Sequence, residues 1–278
     1  MHPIAFKLGP LTIHWYGVMV ALAFLAGIWT ASRRAPRSGL SGEKVVDAGV
    51  WILLGAVVGA RLLYVVSYWD RTFENPLFPR APWTEVFMVQ RGGLVFYGGL
   101  IGASLACILY ARLRKLPLWK LADVFAPSIA LGYVLGRIGC LFNGCCYGRL
   151  CELPWAVRYP NQSDIWRQHH EAGLTTADGP SAPLHPTQIY DALLNLALYA
   201  GLARLFRRKK FDGQVFAVYL LGYAVTRSIV ELFRGDYGAA QIRAGLTPAH
   251  WISIGVFLTG VVFYLVLRQQ RKATHPAK

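Results

Sequence analysis

Residues 121–148 read LADVFAPSIALGYVLGRIGCLFNGCCYG. An apolar run from Leu121 to Ile138 approaches the ~20 residues that carry a helix across a hydrocarbon core. It ends in an arginine, four glycines and three cysteines instead of an ordinary polar loop. Comparable runs recur along the chain, at about Leu11–Ala31, Val45–Tyr68, Leu94–Tyr110, Gln188–Leu205, Gln214–Phe233 and Trp251–Leu267. Backbone polar groups cannot stay unpaired in lipid, so these segments are expected to be helices, and they are too long for barrel strands. The reading is an all-α polytopic membrane protein with seven transmembrane helices.

The 278 residues are 55% hydrophobic and 15% charged, against roughly a quarter charged in soluble domains. Net charge is +15, which in a soluble chain would raise the question of nucleic acid. The distribution answers it. Arg33, Arg34, Arg37 and Lys44 follow span one, and Arg112, Arg114, Lys115 and Lys120 follow span three. Arg204, Arg207, Arg208, Lys209 and Lys210 follow span five, and Arg268, Arg271, Lys272 and Lys278 form the tail. All lie on one side of an alternating seven-span path, which the positive-inside rule makes cytoplasmic, so the N-terminus faces outward and the C-terminus inward. Neither the alternation nor the aromatic pattern suits a nucleic-acid partner. The first span is not expected to be a cleavable signal, because its positive cluster follows the apolar run.

No repeat or low-complexity tract is visible, and a single domain over 1–278 is expected. Its longest polar insert, residues 140–186, is read as a small outer head between spans four and five. A second outer segment, Asp70–Gly93, carries Pro76, Pro79 and Pro82 and is expected to be loop or interfacial. Trp69, Trp83 and Trp155 suit interface depth.

Ionisable residues at lipid depth mark function. Arg61, Arg137, Arg227 and Glu231 lie within spans, and Asp123 and Asp191 lie near span starts. Arg227 and Glu231, four apart, suit an ion pair on one helix face. Arg61 and Arg137 have no carboxylate at helical spacing. Arginines gathered in the outer halves of their spans point to an anionic guest, and the guanidinium fork matches a phosphate. The phosphate most available at that depth belongs to a phospholipid head group.

Gly55 and Gly59 form a G-x-x-x-G pair suited to helix packing, whereas Gly98 and Gly99, directly after Tyr97, could also make room for a ligand. Cys140, Cys145, Cys146 and Cys151 cluster on the outer side, with Cys107 alone in span three. The C-x4-C-C-x4-C spacing is neither the redox C-x-x-C nor the usual zinc pattern, and an adjacent-cysteine bond would be strained. A structural disulfide or buried free thiols are read ahead of redox chemistry and metal binding. His14, Trp15 and Tyr16 open span one, and His185, Gln188, Tyr190 and Asp191 open span five; taken alone, such residues are interface anchors as readily as catalysts.

Taken together, GRIGCLFNGCCYGR (136–149), RGGLVFYGGLIG (91–102), HWYG (14–17), LADVFAPSIALG (121–132), LPWAVRYP (153–160), HPTQIYDALL (185–194) and GYAVTRSIVELFR (222–234) resemble the bacterial prolipoprotein diacylglyceryl transferase family over nearly the whole chain. The resemblance implies a seven-span inner-membrane enzyme with a periplasmic head. It would move the diacylglyceryl group of phosphatidylglycerol to the lipobox cysteine thiol of lipoprotein precursors, releasing glycerol phosphate, with neither cofactor nor metal. On that analogy Arg137 and Arg227 bind the phosphate and Glu231 orients Arg227. Tyr16, Tyr97, Gly98, Gly99, His14, Asn143, Gly148, His185 and Tyr223 would line the site. Three positions depart from the common pattern: Tyr97 stands where many members have histidine, Cys140 where they have asparagine and Cys145 where they have glutamate. The identity of a general base is left open by the first, since an unperturbed phenol has a pKa of ~10. Competing readings are an anionic-lipid transporter, which predicts a polar path continuing to the cytoplasmic side, and a membrane disulfide enzyme built on the outer cysteines.

Overall fold

The structure, a computed structural model, describes residues 3–9, 11–69, 86–87, 92–235, 242 and 244–274. Two short strands open the chain, β1 (Ile4–Leu8) and β2 (Leu11–His14). Long helices follow: α1 (Trp15–Arg34), α2 (Gly42–Ser67), α3 (Phe96–Leu113) and α4 (Leu118–Asn143). A short helix α5 (Asp164–Glu171) precedes α6 (Thr187–Phe206), α7 (Gln214–Glu231) and α8 (Pro248–Thr274).

Six of these helices are long and apolar enough to cross a membrane. The exception among the long ones is α7, whose 18 residues include Gln214, Arg227 and Glu231. Two boundaries differ from the sequence reading. Leu11–His14 is a strand and the first helix starts at Trp15: an antiparallel hairpin pairs Ile4 with His14 and Phe6 with Ile13. The β-branched residues Thr12 and Ile13 favour that extended backbone over a helical start. At the other boundary α4 continues to Asn143, so Cys140 belongs to its last turn. Most of the predicted segment 70–93, with its prolines and Trp83, lies outside the described residues, as does Lys278.

The chain forms two compact units, one of residues 32–121 and one of residues 1–31 with 122–278. In the first, α2 and α3 meet along glycines. A Cβ on Gly98 would lie 2.3 Å from the Gly59 carbonyl oxygen, and one on Gly102 would lie 2.1 Å from that of Gly55. Only hydrogen side chains permit this approach, and Gly98, expected also to admit a ligand, is filled by α2. Buried Arg61 donates from Nε to the Val86 carbonyl at 2.9 Å and from Nη1 to the Gly92 and Gly93 carbonyls at 2.8 and 3.1 Å. Its charge ties down the approach to α3, which corrects its grouping with the arginines awaiting an anion.

In the second unit α7 packs against both α6 and α8. At one end of α4, fully buried Asp123 receives Lys209 Nζ at 2.9 Å and the backbone N–H groups of Gly213 and Phe216 at 2.8 and 3.0 Å. A carboxylate at the N-terminus of α7 satisfies donors that the helix cannot pair internally. At the other end the segment 144–186 has a small core of Tyr159, Ile165 and Leu184, with Tyr147 and Val157 packed on it.

Candidate active site

Arg137 projects from the last two turns of α4. Its Nε lies 2.8 Å from Asp191 Oδ2, one Nη2 hydrogen goes to the Tyr133 hydroxyl, and the guanidinium lies over the Tyr133 ring at 4.8 Å. Tyr133 donates in turn to Asp191 Oδ2 at 3.1 Å, and Asn195 Nδ2 donates to Asp191 Oδ1 at 2.9 Å. Tyr133 and Arg137 stand one turn apart on α4, as Asp191 and Asn195 do on α6, so two i,i+4 faces interlock. The carboxylate that Arg137 lacks on its own helix is therefore supplied across the helix pair. This revises the expectation of an unmatched guanidinium. Even so, Nη1 and the second Nη2 hydrogen have no protein partner among the described residues.

Arg137 also lines a groove of about 230 Å³ between α4 and α6, walled by Val134, Ile138 and Leu141 on one side and Ile189, Leu193 and Leu196 on the other. The wall to which the Arg137 side chain contributes is almost wholly apolar, which fits an acyl chain. On α7, Arg227 Nη1 lies 2.6 Å from Glu231 Oε2, and Glu231 is 1% exposed. Thr247 donates to Glu231 Oε1 at 2.5 Å and sits 3.0 Å from His250 Nδ1, so the start of α8 fixes the carboxylate from behind. Tyr223 meets Tyr133 edge-on at 5.7 Å and joins α7 to α4. Arg227 and Arg234 also lie within electrostatic reach of buried Asp191.

Beside them stands a sulfur cluster. The Sγ atoms of Cys140, Cys145 and Cys146 all lie within 4.8 Å of one another. The chain reverses after α4 through Gly144 and through Cys146 in the left-handed region at φ 61. Gln188 Nε2 donates to the Cys145 carbonyl and Thr187 Oγ1 to the Cys146 carbonyl, each at 2.7 Å. Cys145 Sγ donates to the Cys140 carbonyl at 3.8 Å, and the two neighbouring thiols, with the fields of Arg137 and Arg234, hold the Cys146 thiol well below the usual thiol range against the opposing effect of burial. Tyr16 at the start of α1 is within electrostatic reach of all three sulfurs and of Arg137. Asn143 lies close enough to the Cys145 thiol to influence it electrostatically.

The remaining predicted residues divide. His185 Nδ1 lies 3.2 Å from the Tyr190 hydroxyl, which accepts from Trp155 Nε1 at 2.7 Å, and the His185 ring packs on Phe233 at 5.3 Å. Gly148 threads between two segments: a Cβ there would lie 2.5 Å from His185 Cβ and 2.8 Å from the Phe233 carbonyl oxygen. That makes Gly148 a packing residue at the rim. His14 ends β2 with its side chain exposed. Tyr97, half exposed, and Gly98 and Gly99 belong to the unit of residues 32–121. Tyr133, Asn195 and Thr247 escaped the sequence reading, because a lone Tyr, Asn or Thr in an apolar run carries no signal until a partner helix is in place.

A profile of the prolipoprotein diacylglyceryl transferase family matches residues 3–266. The chain belongs to that family. It is 35% identical over 266 residues to the phosphatidylglycerol--prolipoprotein diacylglyceryl transferase of Synechococcus elongatus, covering 94% of this chain and 85% of the relative. The enzymes of the same name from Bordetella parapertussis (35% over 270 residues, 95% and 94% covered) and Proteus mirabilis (33% over 287 residues, 98% and 94% covered) are similarly close. This chain is therefore a transferase of the family. Arg137, Asp191, Arg227 and the sulfur cluster all fall within the matched stretch.

Proposed function

We propose that this protein transfers the diacylglyceryl group of phosphatidylglycerol to the thiol of a lipobox cysteine in lipoprotein precursors, forming a thioether and releasing glycerol phosphate. The observation that carries the reading is Arg137 beside an apolar groove, with one edge of its guanidinium held by Asp191 and Tyr133 and the other without a protein partner among the described residues. The names carried by the relatives point to the same donor and acceptor.

An acyl chain lies along the groove, and the free Nη hydrogens of Arg137 take the phosphate. Asp191 and Tyr133 fix the plane of the fork, so its donors are aimed before the lipid arrives. Arg227, oriented by Glu231, acts on the same phosphate. The acceptor sulfur attacks the glycerol carbon bonded to the phosphate oxygen. The C–S bond forms as the C–O bond breaks, and negative charge collects on the departing glycerol phosphate beside the two guanidiniums. Preorganised cations at that position contribute several kcal/mol. Tyr223, His185 and Asn143 complete the surroundings of the head group in this unit. Tyr16 stands near the attacking sulfur as a proton carrier, and the same role for Tyr97 is tested separately by Tyr97→Phe. A phenol of pKa ~10 is a poor match for a thiol of pKa ~8.5 at neutral pH, so loss of the thiol proton is the step with least visible help.

The protein is one membrane domain of seven spans in the bacterial inner membrane, with α7 as the span that carries Arg227 and Glu231. Residues 140–186 form a periplasmic head, the N-terminus is periplasmic and the C-terminus cytoplasmic, as the clustered arginines and lysines between alternate spans support. The test is incubation of purified protein with phosphatidylglycerol and a lipobox peptide, followed by mass spectrometry. The diacylglyceryl mass is expected on the cysteine peptide and not on its Cys→Ser counterpart, and full transfer by Arg137→Ala would remove the arginine from the mechanism.

A further inference from the structure

The lipid reading leaves three thiols unused, and their geometry is specific. Cys140 comes from the last turn of α4, while Cys145 and Cys146 come from the reversal that follows it. Four sulfurs around a zinc ion at about 2.3 Å are about 3.8 Å apart. Sulfurs already within 4.8 Å of one another reach that spacing by small side-chain rotations. Cys146 adopts a left-handed backbone at φ 61, which for a residue with a side chain costs about 1–2 kcal/mol. Such strain persists only where the surroundings hold it. Here Thr187 and Gln188, each 1% exposed, grip the carbonyls of Cys146 and Cys145. The turn is thereby held with its sulfurs toward Cys140. Among the described residues no histidine, carboxylate or fourth cysteine joins the group. Three protein ligands and an open fourth position are the arrangement of a catalytic zinc site, whereas structural sites are closed by four.

We infer that Cys140, Cys145 and Cys146 hold a zinc ion whose fourth position is taken by the acceptor cysteine of the protein substrate. The inference rests on the transfer proposed above and supplies its missing step. Coordination displaces the proton of the acceptor thiol to solvent, and the metal-bound sulfur then attacks the glycerol carbon. Its electron pair forms the C–S bond, the C–O electron pair leaves with glycerol phosphate, and the thioether, a weaker ligand, dissociates. No oxidant or reductant is consumed. Zinc with four thiolates carries two net negative charges, and the nearby fields of Arg137 and Arg234 offset them.

The full-length protein in detergent, stripped by chelator under reducing conditions, is titrated with Co(II). One equivalent is expected to give thiolate-to-cobalt charge-transfer absorption and the visible bands of a tetrahedral ion, and Zn(II) should displace it. A peptide with one free cysteine should then shift the visible bands, which a closed structural site would not allow, and its Cys→Ser counterpart should not. Cys140→Ser, Cys145→Ser and Cys146→Ser should each weaken cobalt binding by about 100-fold or more, whereas Cys151→Ser should not. A free thiol of pKa ~8.5 is about one-tenth ionised at pH 7.5, so metal removal should slow transfer at that pH by about tenfold. The stripped enzyme should regain rate as pH rises toward 8.5, while the zinc form stays flat. Wild-type protein without a stoichiometric charge-transfer band, bands that ignore the cysteine peptide, or a Cys140–Cys146 disulfide in the active enzyme would each overturn the inference. Chelator-insensitive transfer would remove the metal and leave the lipid reading standing. A cobalt site that responds to peptide in a protein with no transfer activity would do the reverse.

Discussion

Replacing Arg137 by lysine keeps the charge and removes the fork. In the native site Nε is committed to Asp191 at 2.8 Å and one Nη2 hydrogen to Tyr133, and the remaining donors, without a protein partner among the described residues, can take phosphate. A lysine ammonium is a single point that cannot occupy both ends of this arrangement. Asp191 is 1% exposed, and leaving such a carboxylate unpaired costs about 3–5 kcal/mol, so the ammonium should settle on Asp191 and abandon the lipid. Two charge-assisted hydrogen bonds to phosphate are then lost. At about 1.5–3 kcal/mol each, discounted because water replaces part of the contact, the transition state loses about 2–4 kcal/mol. That is a fall in kcat/KM of about 30- to 1000-fold. The assay is the initial rate of transfer to a fluorescent cysteine peptide in mixed micelles of phosphatidylglycerol, with thermal unfolding of the same preparation as the control. Unfolding should move little, because the Asp191 pairing is kept. Arg137→Lys with more than half of wild-type kcat/KM would refute the reasoning, since a point charge would then serve as well as a fork.

Gly102→Ala should destabilise the α2–α3 pair, because the added methyl meets the Gly55 carbonyl oxygen at 2.1 Å; a loss of about 1–3 kcal/mol is expected in denaturant titration, against near-neutrality for Gly136→Ala, whose Cβ would meet nothing within 4 Å. Asp123→Ala should cost about 1–3 kcal/mol, read as a lower unfolding temperature, by uncapping α7 and removing one of the two carboxylates on Lys209, which keeps Asp212 at 3.1 Å, while transfer per folded molecule stays within about twofold. Burial raises the Tyr159 phenol to about 12 from 10.0, so the folded head binds the proton more tightly than the unfolded chain. This contribution is fully present below pH 10 and is lost as pH rises toward 12, by roughly 2–3 kcal/mol; Tyr159→Phe should flatten that alkaline fall in a pH series of melting curves, and an unchanged slope would show that the phenol titrates freely.

The helices were legible because apolar runs of membrane length leave few alternatives, whereas the start of α1 at Trp15 rather than Leu11 was not, because a two-residue β-branched pair is too weak a cue inside such a run. The i,i+4 pair Arg227–Glu231 was visible from spacing, since both partners lie on one helix. Asp191 as the partner of Arg137 was not: their separation in sequence encodes nothing about the α4–α6 interface that joins them. Arg61 illustrates the opposite error. Lipid depth identified it as a charge needing compensation, and backbone carbonyls outside any regular element provide it. The sulfur cluster was hidden for a related reason. Spacing rules for cysteine ligands assume a tight knuckle, whereas here a helix turn and a left-handed residue bring positions five and six apart to one point.

The groove between α4 and α6 opens sideways, with Leu193 60% and Leu196 44% exposed on its rim. A donor can slide in from the surrounding leaflet without ever leaving it for water. The rate should thus follow the mole fraction of phosphatidylglycerol in the membrane rather than its bulk molarity. Diluting that lipid with a neutral one would slow the enzyme even with the total amount of donor held constant, tying the pace of protein acylation to leaflet composition.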